Sequence, residues 1–338
     1  MPNPLFDGLF GHHVGANTPF LYLTDGRTLT HGAFLERAAQ LAHALKACGL
    51  QPGDRVALQI EKSADALALY AACVQAGFVF LPLNPAYTAA EVSYFVGNSG
   101  AMVLVCDPAK AEALHPVGQE TGARLETLDD DGSGSLASLA AGQPSRFDTV
   151  TREGDDLAAF LYTSGTTGRS KGAMMTQTNL LSNAQTLTSL WRFTADDVLL
   201  HALPIFHTHG LFVATNVMLL SGGAMIFLPK LDVDQLVAQL PRATSLMGVP
   251  TFYTRLLDHP GFTADLARHM RLFISGSAPL LAETHRAFED RTGHRILERY
   301  GMTETNMNTS NPYDGERRAG TVGFPLPDVE LKVTDPET

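Results

Sequence analysis

The sequence reads Leu157-Ala158-Ala159-Phe160-Leu161 and continues Tyr162-Thr163-Ser164-Gly165-Thr166-Thr167-Gly168-Arg169-Ser170-Lys171-Gly172. The apolar run is typical of a buried strand. In the segment after it, glycines let backbone amides approach an anion, hydroxyls add hydrogen-bond donors and Lys171 supplies a positive charge. Apolar side chains at helical spacing over residues 176–191 predict a helix further on. A strand, an anion loop and a helix in this order predict a phosphate-binding site.

Two other interpretations of this loop fit the sequence less well. The spacing does not fit a P-loop NTPase, because only two residues separate Gly165 from Gly168 and Lys171 is followed by glycine. A flexible surface loop is the other alternative for a segment of this composition. The predicted strand and helix on either side of the loop argue against it.

Composition limits the class of protein. The chain has 338 residues, 45% of them hydrophobic and 17% charged, which predicts a globular protein of more than one lobe. It has no apolar run of about 18 residues and no basic segment leading into an apolar core, so we expect neither a membrane span nor a secretory signal. The net charge of −11 excludes a diffuse basic surface for nucleic acid. The cysteines lack metal-ligand spacing and indicate a reduced, cytoplasmic protein; they are Cys48, Cys73 and Cys106.

Apolar runs alternate with helical patterns along the chain. Continuous apolar runs predict a largely parallel α/β sheet covered on both faces. The predicted strands are Val56–Ile60, Met102–Cys106, Leu157–Leu161, Val198–Leu203, Met225–Leu228, Leu246–Val249 and Leu272–Ile274. The predicted helices are Ala33–Ala47, Ala64–Gln75 and Glu283–Arg291, each followed by a glycine suited to a left-handed cap. The stretch 129–146, rich in Asp, Gly and Ser, predicts a boundary between two lobes.

Three more segments carry a resemblance to a known family. They are Pro204-Ile205-Phe206-His207-Thr208-His209-Gly210, Arg299-Tyr300-Gly301-Met302-Thr303-Glu304 and, more weakly, Gly320-Thr321-Val322-Gly323-Phe324-Pro325. Together with the loop at 162–172, and in this order, they resemble the acyl-adenylate-forming enzymes: acyl-CoA synthetases, luciferase and peptide-synthetase adenylation domains. The segment 298–310 looks most like malonyl-CoA synthetases.

The resemblance implies a fold of two mostly parallel sheets with covering helices, arranged αβαβα. We expect a first α/β lobe over 1–140, with some early segments packed on the second lobe. A second lobe over 141–310 would carry the nucleotide and acid pockets, and residues 311–338 would begin a small β-rich subdomain, with a strand over Val329–Val333.

The resemblance also implies the reaction: a carboxylate attacks the α-phosphate of ATP, pyrophosphate leaves, and the acyl group passes to coenzyme A. Because both reactants are anions, catalysis should come from positioning and electrostatics. The implied catalytic residues are His207, Thr303, Glu304 and Lys171, and the implied magnesium contacts are Thr166 and Glu304. The implied nucleotide contacts are Thr163, Ser164, Gly165, Thr166, Thr167, Gly168, Lys171, Ser277, Ala278, Tyr300, Gly301, Met302 and Thr303.

Recognition of the acid is expected to depend on Arg299. This arginine sits in a strand-like stretch, where a buried guanidinium requires an anionic partner. Its neighbour Glu298 should point to the opposite face of the strand, which leaves room for the distal carboxylate of malonate. The alternative is an exposed arginine or one paired with another acid. The other expected substrate contacts are His207, Arg255, Ser277 and Met307, while Arg255 could equally be a surface residue and Met307 a core residue.

The sequence departs from the family pattern at its end. Relatives continue into a C-terminal lid whose lysine bridges the carboxylate and the α-phosphate, and Lys332 fits neither the position nor the motif of that lysine. We therefore expect the chain to be the N-terminal portion of an ATP-dependent malonyl-CoA synthetase, which could also make methylmalonyl-CoA. We expect this portion to bind its ligands and to be weakly active or inactive. Two alternatives stay open: a synthetase for a monocarboxylic acid, and a non-catalytic module that binds nucleotide or acyl-adenylate.

Overall fold

Residues 2–163 and 169–335 are described by a computed structural model of the chain. The strands are β1 Pro19–Leu23, β2 Thr28–Thr30, β3 Arg55–Gln59, β4 Val79–Pro82, β5 Val103–Cys106, β6 Arg124–Thr127, β7 Leu157–Thr163, β8 Lys171–Thr176, β9 Val198–His201, β10 Ala224–Phe227, β11 Ser245–Gly248, β12 Leu272–Ser275, β13 Leu297–Met302, β14 Asn306–Ser310 and β15 Phe324–Pro325. The α-helices are α1 Pro4–Leu9, α2 His31–Ala47, α3 Ala64–Ala76, α4 Ala89–Ser99, α5 Ala111–Thr121, α6 Ser135–Ala140, α7 Gln177–Leu190, α8 Asn216–Ser221, α9 Val233–Gln239, α10 Pro250–Asp258, α11 Ala264–Ala267 and α12 Ala282–Thr292. A π-helix spans His209–Thr215, and short 3₁₀ turns span Gly11–His13, Pro108–Lys110 and Leu240–Arg242.

The strands of the described residues form two sheets. A nine-stranded sheet has the order β15-β14-β13-β12-β11-β9-β10-β1-β2, and a six-stranded sheet has the order β6-β5-β3-β4-β7-β8. Most neighbouring strands are parallel; the antiparallel pairs are β1–β2, β7–β8, β13–β14 and β14–β15. The predicted α/β fold with two mostly parallel sheets is confirmed.

Helix α3 packs between β4 of the six-stranded sheet and the π-helix. Every residue from Ala66 to Ala76 is buried, as expected for a helix that is apolar on all sides. The ring of Tyr70 lies 5.3 Å from that of Phe80 on β4 and 5.8 Å from that of Phe212 in the π-helix. The core is therefore continuous from the first sheet to the segment that follows β9.

The predicted helix ends are confirmed where glycine follows. Gly77 closes α3 with φ 74° and Gly293 closes α12 with φ 76°. In this left-handed region a side chain is strained, so glycine is favoured.

Several sequence-based expectations were wrong in detail. The anion loop does not lead directly into a helix, because β8 runs back antiparallel to β7 before α7 begins. The loop thus joins two strands of a hairpin, and the dipole of α7 does not start at its end. Val329–Val333 forms no strand in the described part of the chain. The stretch 129–146, predicted to be a boundary between two lobes, contains α6, whose Leu136 is fully buried.

The lobe boundaries stay predictions, but the structure shows to which sheet β1, β7 and β8 belong. Strand β1 pairs with β10 in the nine-stranded sheet, as expected of early segments that pack on the second lobe. The hairpin β7–β8 had been assigned to the second lobe, but β7 pairs with β4 in the six-stranded sheet. The N-terminal residues form α1, with Leu5, Phe6 and Leu9 buried.

Stacked imidazoles hold the N-terminal segment on α8. The rings of His13 and His31 stack at 3.8 Å, and their Nε2 atoms lie 2.7 Å from the Leu219 carbonyl and 3.2 Å from the Gly223 carbonyl. Because a carbonyl only accepts, each Nε2 carries hydrogen. Burial, with His13 close by, lowers the pKa of His31 from 6.5 to about 4.

This lowered pKa predicts acid destabilisation. The unfolded chain binds a proton at His31 near pH 6.5 while the folded chain does not until about pH 4, so stability is complete above 6.5 and is lost as the pH falls towards 4. The loss for this group is roughly 3 kcal/mol. In His31→Gln the amide can donate to Gly223 without titrating, so we expect a smaller fall in the urea-unfolding free energy between about pH 7 and 4.5. The exposed His115→Gln is the control, and equal pH profiles for His31→Gln and wild type would contradict the assignment.

Candidate active site

A cavity of about 330 Å³ opens at the carboxyl ends of the parallel strands β9, β11 and β12, where ligands collect in α/β sheets. None of the described residues that line it is Asp or Glu. The lining residues are Leu203, Pro204, His207, Thr208, His209, Gly210, Val249, Ser277, Arg299, Gly301, Met302, Thr303 and Met307. We refer to it as the acid cavity. A cavity with cationic and neutral donors and no carboxylate suits an anion.

Arg299 is the charged group of the acid cavity. It is 3% exposed, and no acceptor within the described residues bonds its Nε or Nη2. Burial lowers the pKa of Arg299 to about 9, so the guanidinium is still charged at neutral pH. A buried charge without a partner is costly. Arg299 is thus a buried guanidinium that lacks an anionic partner among the described residues.

Glu298 does not neutralise Arg299, as predicted from the alternation of a strand. Its Oε1 lies 3.0 Å from Nδ1 of His285 and accepts a 3.3 Å hydrogen bond from the Gly320 amide. Glu298 thus holds the loop that contains Gly320, on the other face of β13.

Two histidines from the segment after β9 reach the acid cavity. His207 is exposed within the cleft, and partial desolvation lowers its pKa. His209 is 5% exposed, with Nδ1 3.1 Å from Oγ of Ser277. Burial, with Arg299 as the next cause, holds the pKa of His209 well below 6.5, so this ring is neutral.

Unpaired polar atoms concentrate around this cavity. Besides two nitrogens of Arg299, Nε2 of His209 and Oγ1 of Thr208 are buried without a partner among the described residues. Each such atom costs about 1–3 kcal/mol. Ser277 has φ 69°, a left-handed conformation uncommon for a residue other than glycine. Strain and unpaired donors at one place are typical of a ligand site.

A β-bulge in β13 directs the following residues into the cavity. The register with β14 shifts between Tyr300 and Gly301, which bends the strand. Gly301 is required there, because a β-carbon would lie 2.8 Å from Cα of Met307 and closer to its side chain. Gly301, Met302, Thr303 and Met307 all line the acid cavity; Met307 was predicted to contact the acid, and the other three the nucleotide.

A second cavity of about 280 Å³ adjoins the first and shares Ser277, Arg299 and Gly301 with it. We call it the nucleotide cavity. Tyr300, Ala278, Pro279 and Glu298 form part of its wall. The structure therefore brings together Ser277, Ala278, Tyr300 and Gly301, which the sequence had assigned to the nucleotide.

The flanks of the anion loop are anchored on α4. The Tyr94 hydroxyl donates to the Ser170 carbonyl at 2.9 Å, and the Tyr162 hydroxyl donates to Oδ1 of Asn98 at 2.6 Å. Thr163 pairs with Lys171, whose side chain is exposed. Ser164, Gly165, Thr166, Thr167 and Gly168 lie outside the described residues, so their predicted contacts with nucleotide and magnesium remain predictions.

Helix α7 connects the hairpin β7–β8 with the turn that bears Thr303 and Glu304. The Asn183 amide donates to the Met307 carbonyl at 3.0 Å, and the Asn306 amide donates to the Asn179 carbonyl at 3.4 Å. Strand β14 thus lies against the first turns of α7, which β8 enters directly. Helix α7 therefore links the hairpin that flanks the anion loop to the strand that follows the Thr303–Glu304 turn.

Some predicted residues are not brought to these cavities. Arg255 is exposed on α10 and does not line either one, and Glu304 is exposed beside the acid cavity. Conversely, sequence reasoning gave no role to His209 or Thr208, which do line the acid cavity. The sequence signal that could have identified them is that both residues directly follow His207. In the part of the chain that the structure describes, no three His, Cys, Asp or Glu side chains are grouped to hold a metal, and no helix is long and apolar enough to cross a membrane.

Comparison with known proteins agrees with this architecture. A model of the family described as AMP-binding enzyme matches residues 13–338. A malonate–CoA ligase of Arabidopsis thaliana is 35% identical over 312 residues, which are 86% of this chain and 51% of that protein. The chain thus spans about half the length of this curated relative.

Two solved structures are similar over almost the whole chain. The crystal structure of ATP-bound MatB from Rhodopseudomonas palustris is 56% identical, with a TM-score of 0.97 over 100% of this chain and 67% of that chain. A malonyl-CoA ligase in a ternary product complex with methylmalonyl-CoA and AMP is 34% identical, with a TM-score of 0.78 over 96% of this chain and 67% of that chain.

Proposed function

The chain belongs to the AMP-binding enzyme family, and on that premise we propose that it provides the acid-binding and ATP-binding part of an ATP-dependent malonyl-CoA synthetase. In this reaction malonate and ATP give malonyl-AMP and pyrophosphate, and the malonyl group then passes to the thiol of coenzyme A with release of AMP. The similarity to malonate–CoA ligases supports the choice of acid.

The observation that carries the proposal is the unpartnered guanidinium of Arg299 in a cavity that no described carboxylate lines. A monocarboxylic acid would leave this buried cation without a counter-ion once its single carboxylate is activated. Malonate offers a second carboxylate, which can accept hydrogen bonds from Arg299 while the first one reacts.

The neutral donors around Arg299 would complete the pocket. If the Ser277 hydroxyl donates to Nδ1 of His209, then Nε2 of that ring carries hydrogen and can donate to the distal carboxylate. His207, on the exposed side of the cavity, would contact the carboxylate that attacks phosphorus. Met307, a flexible thioether side chain at the wall, would accommodate the methyl group of methylmalonate.

The residues of the nucleotide cavity fit ATP. Tyr300 offers a ring face to adenine, and the absence of a side chain at Gly301 leaves space between the two cavities. Thr303 lines the acid cavity, where its hydroxyl can donate to an α-phosphate oxygen, and Lys171 lies beside the anion loop. Magnesium is normally held by one or two carboxylates plus phosphate oxygens, so the exposed Glu304 suffices as a carboxylate ligand, with Thr166 as the other predicted contact. The ion would neutralise phosphate charge.

Calorimetry and pyrophosphate exchange test the proposal on the 338-residue chain. We expect malonate to bind in the presence of a non-hydrolysable ATP analogue and magnesium, and butyrate to bind at least about tenfold more weakly because it leaves Arg299 unpaired. Butyrate that binds as tightly as malonate would favour a monocarboxylic acid. Binding of both ligands with little or no exchange is the result expected of this chain, and no binding of either ligand would refute the proposal.

Glu304→Gln should remove most of the dependence of ATP affinity on magnesium. The amide keeps the size of the side chain but loses its negative charge, so we expect about a tenfold weaker effect of magnesium on the Kd of ATP. Fluorescence titration of ATP over a range of magnesium concentrations measures this, with the exposed Glu316→Gln as control. An unchanged magnesium dependence in Glu304→Gln would exclude Glu304 as the ligand.

A further inference from the structure

Lys62 and His201 form a contact between the two sheets next to the acid cavity. Lys62 follows β3 of the six-stranded sheet, and His201 is the last residue of β9 in the nine-stranded sheet. The Lys62 Nζ lies 2.9 Å from Nδ1 and 2.9 Å from the carbonyl oxygen of His201, and 4.2 Å from the ring centroid of Phe227. None of the ion pairs found in residues 2–163 and 169–335 includes Lys62.

The hydrogen bonds of His201 have a determined direction. Its Nε2 lies 2.8 Å from the Gly210 carbonyl oxygen, which can only accept, so Nε2 carries hydrogen. Burial, with the charge of Lys62 next, holds the pKa of His201 well below 6.5, and the ring is neutral. Nδ1 is therefore an acceptor, and Lys62 donates both to it and to the His201 carbonyl.

The Gly210 carbonyl belongs to the segment that carries the acid-cavity histidines. The hydroxyl of Thr215 also donates to it, at 2.9 Å, across the π-helix that begins at His209. The Leu211 amide donates to the His207 carbonyl at 3.0 Å. At Gly210 a β-carbon would lie 2.9 Å from the carbonyl carbon of Pro204 and nearer to its oxygen, so the loop closes tightly on itself. Gly210 directly follows His209, and the next residue, Leu211, bonds to the His207 carbonyl. Holding the Gly210 carbonyl in place therefore also holds the backbone of His207 and His209.

We propose that Lys62 is a positioning residue for the acid cavity. It acts through neutral His201 on the Gly210 carbonyl, and thereby on His207 and His209. The inference rests on the proposed function, because it assigns the acid to that cavity. It goes beyond that function because it assigns a role in acid binding to a residue next to the six-stranded sheet, whereas the acid cavity lies at the nine-stranded sheet. Lys62 lies on the far side of the Pro204–Phe206 wall, where it lines a separate, mainly apolar cavity of about 240 Å³.

Lys62→Met tests the role with a side chain of similar length. Met fills the same apolar space and leaves no unpaired amino group there, so the fold is retained. We expect the Kd of malonate to rise by about tenfold while that of the ATP analogue changes by less than about twofold. Lys230→Met is the matched control, because Lys230 lines the same cavity but makes no described hydrogen bond to His201; it should leave both Kd values unchanged.

Two readouts do not depend on the acid. Hydrogen exchange of the amides in 207–215 should accelerate in Lys62→Met and not in Lys230→Met. In ¹⁵N-histidine spectra, Nδ1 of His201, assigned with His201→Gln, should shift as its donor is lost. Lys62→Gln, which keeps a shorter neutral donor, should give intermediate values and serves if the methionine variant folds poorly.

The results separate the possible failures. If wild type does not bind malonate, the proposed function fails, and the exchange and ¹⁵N data still decide whether Lys62 orders the segment. Unchanged exchange in 207–215 with malonate Kd within about twofold of wild type overturns the inference. An equal loss of affinity for acid and nucleotide together with a lower melting temperature also overturns it, since that is a general structural role.

Discussion

Replacing Arg299 by methionine is expected to weaken malonate binding by on the order of 100-fold or more, since removing one partner of a buried ion pair costs about 3–5 kcal/mol. Methionine is unbranched and of similar length, so the volume of the acid cavity is nearly kept. Butyrate should bind to the variant at least as well as to wild type, because no buried cation remains beside its apolar end. The Kd values of malonate and butyrate, measured by calorimetry with the ATP analogue present, test this change in acid specificity.

The same substitution should stabilise the ligand-free protein. Arg299 is buried with two unpartnered nitrogens, so its removal relieves a desolvated charge without breaking a described hydrogen bond. We expect a higher melting temperature without ligand and a loss of the stabilisation that malonate gives to wild type. Opposite effects on stability and on acid binding distinguish a recognition residue from a structural one.

Arg295→Met provides the control on the same stretch of chain. Arg295 is exposed and pairs with Glu289 at 2.7 Å on the surface, where an ion pair contributes little. It should change neither acid affinity nor specificity. A lower melting temperature for Arg299→Met, with malonate and butyrate affected equally, would show that Arg299 supports the fold and does not select the acid.

The fold could be predicted from short-range patterns where burial is complete. Val103–Cys106 and Leu272–Ser275 are buried at every position, and their continuous apolar sequences predicted parallel strands. Strand β8 could not be found this way. Its sequence contains Gly172 and the exposed Met174, and it is placed by the Phe160 ring, which occupies the space where Gly172 has no side chain. A contact across the hairpin has no signature within β8 itself.

The candidate site was predictable where its residues lie in continuous motifs. Arg299, Tyr300, Gly301, Met302 and Thr303 are consecutive, and one bulge in β13 brings them to the two cavities. The contacts that hold the segment 207–215 at the acid cavity were not predictable.

Lys62 is 139 residues from His201 in sequence, and their contact exists only because β3 and β9 end near each other. The orientation of His209 depends on a π-helix, which simple periodicity does not reveal.

Gly276→Ala is expected to weaken malonate binding by about 10- to 100-fold while Arg299 remains in the chain. Gly276 does not have a positive φ, so alanine suits its backbone. A β-carbon there would lie 2.6 Å from Nε of Arg299 and closer still to Cζ, which forces the guanidinium to move. The charge is kept and only its position changes, so the loss measures how accurately Arg299 must be placed.

A double-mutant cycle separates this displacement from a general disturbance of the loop. If Gly276→Ala acts through the guanidinium, it should change malonate affinity by less than about threefold in the Arg299→Met background, where no guanidinium remains. Gly97→Ala is the matched substitution, because its β-carbon would approach Thr121 Cγ2 no closer than 3.7 Å, and it should leave affinity unchanged. Equal losses from Gly276→Ala in both backgrounds would mean that the loop itself, rather than the arginine above it, determines the affinity for the acid.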